Sequence, residues 1–317
     1  MYHIIVNPAS RSGRGGRIWK EVIKPALAQK QVTYQAYFSE KPGEVIRISK
    51  EIASAFLEAH PYSEEACKII ILGGDGTVNE TLQGITSYNR FIFGYIPTGS
   101  SNDLARDIGV PRKPLAALER ILSARDNADM VHPMDRGIVK TDTTTRSFCV
   151  STGLGFDAAV CEEAMNSKIK DTFNRIGLGK LTYLGIALKQ LFSAKPVSCE
   201  IYLDDKDPIY IKNILFAATM NHRFEGGGFK FCPSADYTDG IFDLCVVGNL
   251  PKPLLLLALP TAFFGKHYMF KGVDHYRAKR VRIKTSSPLW LHTDGEVHER
   301  ADKLEINCAQ GDIRFII

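Results

Sequence analysis

Lys68-Ile69-Ile70-Ile71-Leu72-Gly73-Gly74-Asp75-Gly76-Thr77-Val78-Asn79-Glu80 is the stretch whose reading decides the fold. Its first five residues form an apolar run suited to a buried strand, and residues 78–85 carry the periodicity of a helix. Between them lies a glycine-rich turn bearing an acid. Such a corner binds phosphate well, because glycine lets the backbone approach an anion and the helix start offers unpaired N–H groups. Asp75 can organise water or a metal beside it. Taken alone, the same residues also read as a plain strand-to-helix corner capped by Asp75 or Thr77.

Outward from this stretch, strand and helix patterns alternate over the first 125 residues. Strands are predicted at 3–6, 33–38, 68–72 and 91–96, and helices at 17–29, 42–59, 78–85 and 115–123. In the second helix Val45, Ile48, Ile52, Ala55 and Phe56 fall at helical spacing. Alternation of this kind predicts an α/β domain with a parallel sheet covered by helices on both faces. From about residue 130 the texture changes to short β-rich runs at 137–140, 147–151, 198–203, 209–219, 242–247, 280–284 and 303–307. Two helical inserts interrupt them, at 158–166 and 180–192. Antiparallel pairing in a sandwich-like, β-rich second domain follows. The expected division is 1–130 and 131–317, with the boundary between Asp126 and Asp135.

A length of 317 residues suits two such domains, and the net charge of +5 is compatible with nucleotides, anionic membrane or nucleic acid without choosing among them. Seven scattered cysteines, with no C-x-x-C pair, read as reduced thiols of a cytoplasmic protein. The amino terminus reads as a first strand rather than an export signal. The longest apolar stretch, residues 254–264, is broken by Pro260 and is shorter than the roughly 20 residues of a membrane-spanning helix.

Three loops follow strands of the first domain. They are Asn7-Pro8-Ala9-Ser10-Arg11-Ser12-Gly13-Arg14-Gly15-Gly16-Arg17, the turn from Gly73 to Glu80, and Pro97-Thr98-Gly99-Ser100-Ser101-Asn102-Asp103. In a parallel sheet these ends share one edge, where ligand crevices form. Arg11, Arg14 and Arg17 read either as phosphate contacts or as a solvated basic surface. No P-loop signature and no protein-kinase motif set is present.

At these residues the sequence resembles the soluble lipid kinases with a diacylglycerol kinase catalytic domain, a family that includes the sphingosine kinases and many bacterial members. The resemblance rests on Asn7-Pro8, on Gly73 to Glu80 and on Pro97 to Asp103, where Ser100 replaces the family's Thr but keeps the hydroxyl. It continues through Thr152-Gly153-Leu154-Gly155-Phe156-Asp157, the run from Pro233 to Gly240, Phe264-Gly265-Lys266-His267 and Asp294-Gly295-Glu296.

Phosphoryl transfer to an alcohol needs an anion cradle, a divalent ion and a base near the hydroxyl. Asp75 is the natural organiser of Mg2+, with Asp103 close enough to join it. The resemblance implies ATP bound by Asn7, Pro8, Ser10, Arg11, Ser39, Gly73, Gly74, Asp75, Gly76, Thr77, Asn79, Glu80, Thr98, Gly99 and Ser100. It also implies Glu296 as general base with Asp135 as its network partner, and a second magnesium site at Asp236, Asp239 and the carbonyl of Ile241. The last of these also reads as an Asx-type turn without metal. Asp294 is left as a turn residue and His267 as structural. Residues 254–264, with Lys266, His267 and Lys271 beside them, read either as a lipid-entry surface or as a buried core helix.

The activity implied is transfer of the γ-phosphoryl group of ATP to diacylglycerol or a related lipid alcohol. The enzyme would be cytoplasmic and peripherally bound to its lipid at the membrane surface, with no nucleic acid partner and with a homodimer allowed. Two alternatives remain: a kinase of a soluble acceptor, since NAD kinases share the glycine turn, and a non-catalytic nucleotide-binding regulatory protein. Asn7-Pro8 and Asp294-Gly295-Glu296 speak against the first. Asp75, Asp103, Asp135 and Glu296 together speak against the second.

Overall fold

Apolar runs such as Ile69 to Leu72 become strands covered on both sides, and a strand at the sheet edge needs less of that character. In a computed structural model, which describes residues 1–125, 127–166, 179–195 and 197–317, four strands form the first sheet. They are β1 (Tyr2–Val6), β2 (Tyr34–Phe38), β3 (Cys67–Gly73) and β4 (Phe91–Pro97). All pair in parallel, in the order β2-β1-β3-β4. Ile4, Ile5, Val6, Ile69, Ile71 and Leu72 are fully buried. The register sets Val6 beside Phe38 and Leu72, Leu72 beside Ile96, and Gly73 beside Pro97, so the strands end together.

Helices connect them: α1 (Ser10–Ile18) and α2 (Lys24–Gln29), joined by a π-helical turn at Trp19–Ile23, then α3 (Glu44–Ala59), α4 (Asp75–Gln83), α5 (Asp103–Asp107) and α6 (Pro114–Ser123). Helix α4 begins earlier than its apolar pattern predicts. The start of α4 lies at Asp75, straight after the extended Gly74, because the acid and hydroxyl residues of its first turn tolerate a helix start that carries no hydrophobic signal.

The chain divides into two compact units, residues 1–136 with 310–317 and residues 137–309. This differs from the expected division at 130/131. Asp126 lies outside the described residues. The last eight residues return to the first unit, where Phe315 pairs with Phe93 of β4 and packs on its ring. Nothing local in that segment marks the return.

The second unit is antiparallel. β5 (Val131–Lys140) enters it and pairs with β6 (Thr145–Phe148). There follow β7 (Ser151–Gly155), β8 (Val197–Leu203), β9 (Ile209–Met220), β10 (Phe242–Gly248), β11 (Val273–Ala278), β12 (Arg280–Thr293) and β13 (Glu296–Ile316). The order is β11-β10-β9-β7-β12-β13, with β8 pairing both β12 and β9. Its helices are α7 (Phe156–Asn166), α8 (Gly179–Ser193) and α9 (Lys252–Thr261). Phe148, Phe242, Leu244, Ile283, Leu291 and Ile306 pack in one core cluster. Strand β12 outruns its predicted end at 284 because register shifts carry it past Ser286-Ser287-Pro288.

Candidate active site

Because the strands of the first unit end in register, the loops that follow them meet. Asn7 donates its N–H to Leu72 O (2.9 Å) and its Nδ2 to Thr77 Oγ1 (3.1 Å). Ser10 Oγ lies 2.7 Å from Thr98 Oγ1, and the Thr98 N–H bonds Gly73 O at 2.7 Å. Ser39, at the end of β2, gives its N–H to Val6 O. The predicted convergence is therefore built of hydrogen bonds. Gly74 and Gly99 meet at its centre: a Cβ on Gly74 would lie 3.2 Å from Gly99 Cα, and one on Gly99 2.6 Å from Gly74 Cα.

Asp75 sits where the loops join. Its Oδ2 accepts the Asp103 N–H (2.9 Å) and its Oδ1 accepts the Tyr95 hydroxyl (3.2 Å), which also reaches Asn102 Oδ1 (3.2 Å). Two donors fix the carboxylate's orientation. Asp103 contributes its backbone here, while its buried carboxylate pairs with Arg106 (2.8 Å). Arg11, Ser12 and Gly13 have φ of 46°, 55° and 87°. Two non-glycine residues held left-handed cost roughly 1–2 kcal/mol each, a strain that gathers at ligand-clamping segments. Beside this loop a cleft of about 240 Å³ is lined by Arg11, Arg14, Arg106 and Arg112, with Ser100, Ser101 and Asn102. Four guanidinium groups beside hydroxyls and amides suit a polyphosphate.

Several of the predicted residues are also engaged by bonds within the protein. Glu80 accepts the N–H groups of Gly43 (3.0 Å) and Val45 (3.2 Å), so both its oxygens satisfy the start of α3. Asn79 is fully buried and bonds Gln83 (3.3 Å). Pro8 supplies a carbonyl for the Gly16 N–H, and Gly76 sits half-buried in the first turn of α4. Asp135, fully buried, accepts the Gly311 N–H at 2.8 Å and so ties down the returning C-terminal segment.

In the second unit, Asp294-Gly295 is a two-residue hairpin between the paired Thr293 and Glu296, with φ of 51° and 83°. Asp294 is more than a turn residue. Its carboxylate accepts the N–H groups of Cys149 (2.9 Å), Val150 (2.7 Å) and Ser151 (3.0 Å). Glu296, directly after the turn, is half-buried. His267, expected as structural, is buried and bonds Phe231 O at 3.0 Å; burial lowers its pKa.

The loop expected to hold a second magnesium is closed by its own groups. Asp236 Oδ1 accepts from Thr238 N (3.0 Å) and Thr238 Oγ1 (2.7 Å), and Asp239 Oδ1 accepts the Ile241 N–H (2.9 Å). Asp239 Oδ2 pairs with Arg277, whose Nε also reaches the buried Asp243 (3.2 Å). These bonds fit the Asx-turn reading, and the Arg277 guanidinium supplies a neutralising charge beside Asp239. Among the described residues, no group of three or more His, Cys, Asp or Glu is placed to hold a metal ion.

Tyr95 and Arg112 escaped the sequence reading. A tyrosine within an otherwise apolar strand was the available signal for Tyr95, since a buried hydroxyl demands a partner; for Arg112 there was none.

The diacylglycerol kinase catalytic domain family matches residues 1–132, and the YegS C-terminal NAD kinase beta sandwich-like domain matches residues 150–313. A diacylglycerol kinase from Bacillus subtilis is 29% identical over 300 residues, covering 92% of this chain and 88% of the relative. The crystal structure of a diacylglycerol kinase from Bacillus anthracis superposes with a TM-score of 0.67 at 21% identity, covering 99% of this chain and 96% of that one. An NAD kinase from Archaeoglobus fulgidus, solved in complex with ATP, shares the fold at a TM-score of 0.51 and 13% identity, over 100% of this chain and 94% of that one.

Proposed function

The chain belongs to the lipid kinases built on a diacylglycerol kinase catalytic domain, and we propose that it transfers the γ-phosphoryl group of ATP to the hydroxyl of diacylglycerol or a related lipid alcohol. The observation that carries this reading is the meeting of three strand-end loops on Asp75 beside a cleft lined by four arginines. In this reading Arg11, Arg14 and Arg112 offset phosphate charge, and the Thr98 and Ser10 hydroxyls fix the loops that cradle it. Asp75, oriented by Tyr95 and the Asp103 N–H, would hold magnesium through water. When bound, the ion neutralises the phosphate oxygens. Glu296 accepts the proton of the lipid hydroxyl as its oxygen attacks the γ-phosphorus and ADP leaves.

A lipid acceptor has support in the second unit. Residues 254–269 hold both patterns weighed in the sequence: Leu255 and Ala258 are buried, while Leu257 (62% exposed), Phe264 (75%) and Met269 (75%) face solvent near the exposed Lys266 and Lys271. An apolar patch with a basic rim suits the surface of an anionic bilayer. No helix among the described residues is long and apolar enough to cross a membrane.

The test is transfer of radiolabelled phosphate from ATP to a panel of lipid alcohols in mixed micelles, with NAD as a soluble competitor. Label in a lipid supports the reading. Label in NAD alone would replace it with the soluble-acceptor alternative.

A further inference from the structure

The hairpin that presents Glu296 is anchored from inside the second unit. A two-residue hairpin leaves the N–H groups of its central residues outside the strand ladder. Here both are engaged: Asp294 N bonds Ser151 O at 2.8 Å, and Gly295 N donates to His292 Nδ1 at 3.1 Å. The His292 ring is fully buried. Its other nitrogen, Nε2, lies 3.2 Å from Asp157 Oδ2 and 3.3 Å from Glu225 Oε1, the latter also bonded by Ser151 Oγ at 2.8 Å.

We infer that His292 is a positioning residue for Glu296: its Nε2 proton is captured by Asp157 and Glu225, so that its bare Nδ1 accepts the Gly295 N–H and fixes the turn from which Glu296 projects. This rests on the proposed role of Glu296 as base.

An imidazole's tautomer follows the partners of its two nitrogens. Two carboxylates on one side select Nε2–H, and an N–H on the other needs a lone pair. Gly153 makes the contact possible, because a Cβ there would stand 1.8 Å from Asp157 Oδ2 and 2.3 Å from His292 Nε2. The glycine of Thr152-Gly153-Leu154 thus has its physical reason in β7. The groups facing His292 are Asp157 from α7, Glu225 from the loop after β9 and Asp294 from the turn, with Arg146 and His298 beyond them. Burial opposes a charge on the ring while the three acids favour one. A second proton would land on Nδ1, where the Gly295 N–H points; that hydrogen bond decides for the neutral ring, which also adds no desolvated charge.

Asparagine can place an acceptor oxygen near the position of Nδ1, whereas leucine fills the volume without one. With dioleoylglycerol in mixed micelles as acceptor, His292→Asn is expected to keep turnover within a few-fold of the parent. His292→Leu should lose at least about tenfold in kcat with KM for ATP unchanged, since small displacements of a reacting group carry penalties of that order. Equal turnover in the two variants overturns the inference. Glu296→Gln is run beside them: if it stays active, the reading of the base fails, whereas an inactive Glu296→Gln with a fully active His292→Leu refutes the positioning alone. Should the leucine variant not fold, ¹⁵N-histidine spectra of the parent decide. A bare Nδ1 and protonated Nε2 near pH 7 are expected, and a doubly protonated ring would overturn the proposal.

Discussion

Replacing Asp294 by Asn removes one charge and one acceptor while keeping the shape, and Asn tolerates the left-handed φ of 51° as Asp does. The cost follows from how the two oxygens are used. Oδ1 serves Val150 and Ser151, and an amide oxygen can continue to serve both, less strongly. Oδ2 serves the Cys149 N–H; the substituted NH2 turns a donor toward that donor. An unsatisfied N–H costs about 1–3 kcal/mol, and lost charge assistance on the remaining bonds adds to it, so about 2–4 kcal/mol is expected. Asp204 is the control. It too is left-handed, at φ 54°, but among the described residues its carboxylate accepts through Oδ1, from Lys279 (3.0 Å) and Arg280 (2.9 Å). Asp204→Asn therefore keeps every acceptor and should cost about 1 kcal/mol. Urea unfolding in a Trp19→Phe background, followed by Trp290 fluorescence, reports the second unit. Equal losses in the two variants, or an Asp294→Asn effect below about 0.5 kcal/mol, would refute the reasoning.

Glu296→Gln should lower turnover by about 10²- to 10⁴-fold with ATP binding nearly intact, whereas Asp75→Asn should weaken magnesium-dependent nucleotide binding as well; calorimetry beside steady-state kinetics separates them. Glu80→Gln should cost about 1–2 kcal/mol in unfolding free energy by uncapping α3, and its ATP affinity, measured by calorimetry, should match the parent. Asp239→Ala should lower the melting temperature equally with and without magnesium, because Arg277 rather than a cation neutralises it; a magnesium-dependent difference in the melting curves would restore the metal site. Burial opposes the charge of Asp243, but hydrogen bonds from His275 and Ser234 and the charges of His275 and Arg277 prevail and hold it below the usual carboxylate range. A depressed pKa stabilises above the unfolded value, about 3.9, and is lost as pH falls through the folded one. Unfolding midpoints measured down through that window should fall less steeply for Asp243→Asn than for the parent.

The parts legible in the sequence are those whose signal is local. Ile69 to Leu72 announce β3 because a strand buried on both faces needs no polar residue, and α3 announces itself through Val45, Ile48 and Ile52, all buried. The meeting of the loops at Asn7, Gly73 and Pro97 followed from strand direction alone, once alternation implied a parallel sheet. What stayed hidden depends on partners far along the chain. Asp294 takes its hydrogen bonds 143 to 145 residues away, and Asp239 finds Arg277 across 38. An acid in a turn looks the same from sequence whether it faces water, a cation or a row of N–H groups. Glu80 shows the converse: its place beside the glycine turn says nothing of the bonds its carboxylate makes to the start of α3.

The motif glycines carry the same lesson in physical form. From sequence they read as room left for a ligand. In the structure much of that room is filled by the protein itself: Gly73 makes way for Thr77, Gly74 and Gly99 for each other, and Gly153 for the pair of Asp157 and His292. A glycine at such a point lets two polar segments approach closer than a Cβ would allow, and hydrogen bonds then lock them. Asp75 is held by donors from two elements beside the contact of Gly74 and Gly99. The Gly295 turn is held by a buried ring beside the contact at Gly153. A side chain that must meet a phosphate or a hydroxyl gains more from being fixed than from being near open space, because the cost of orienting it is already met when the substrate arrives.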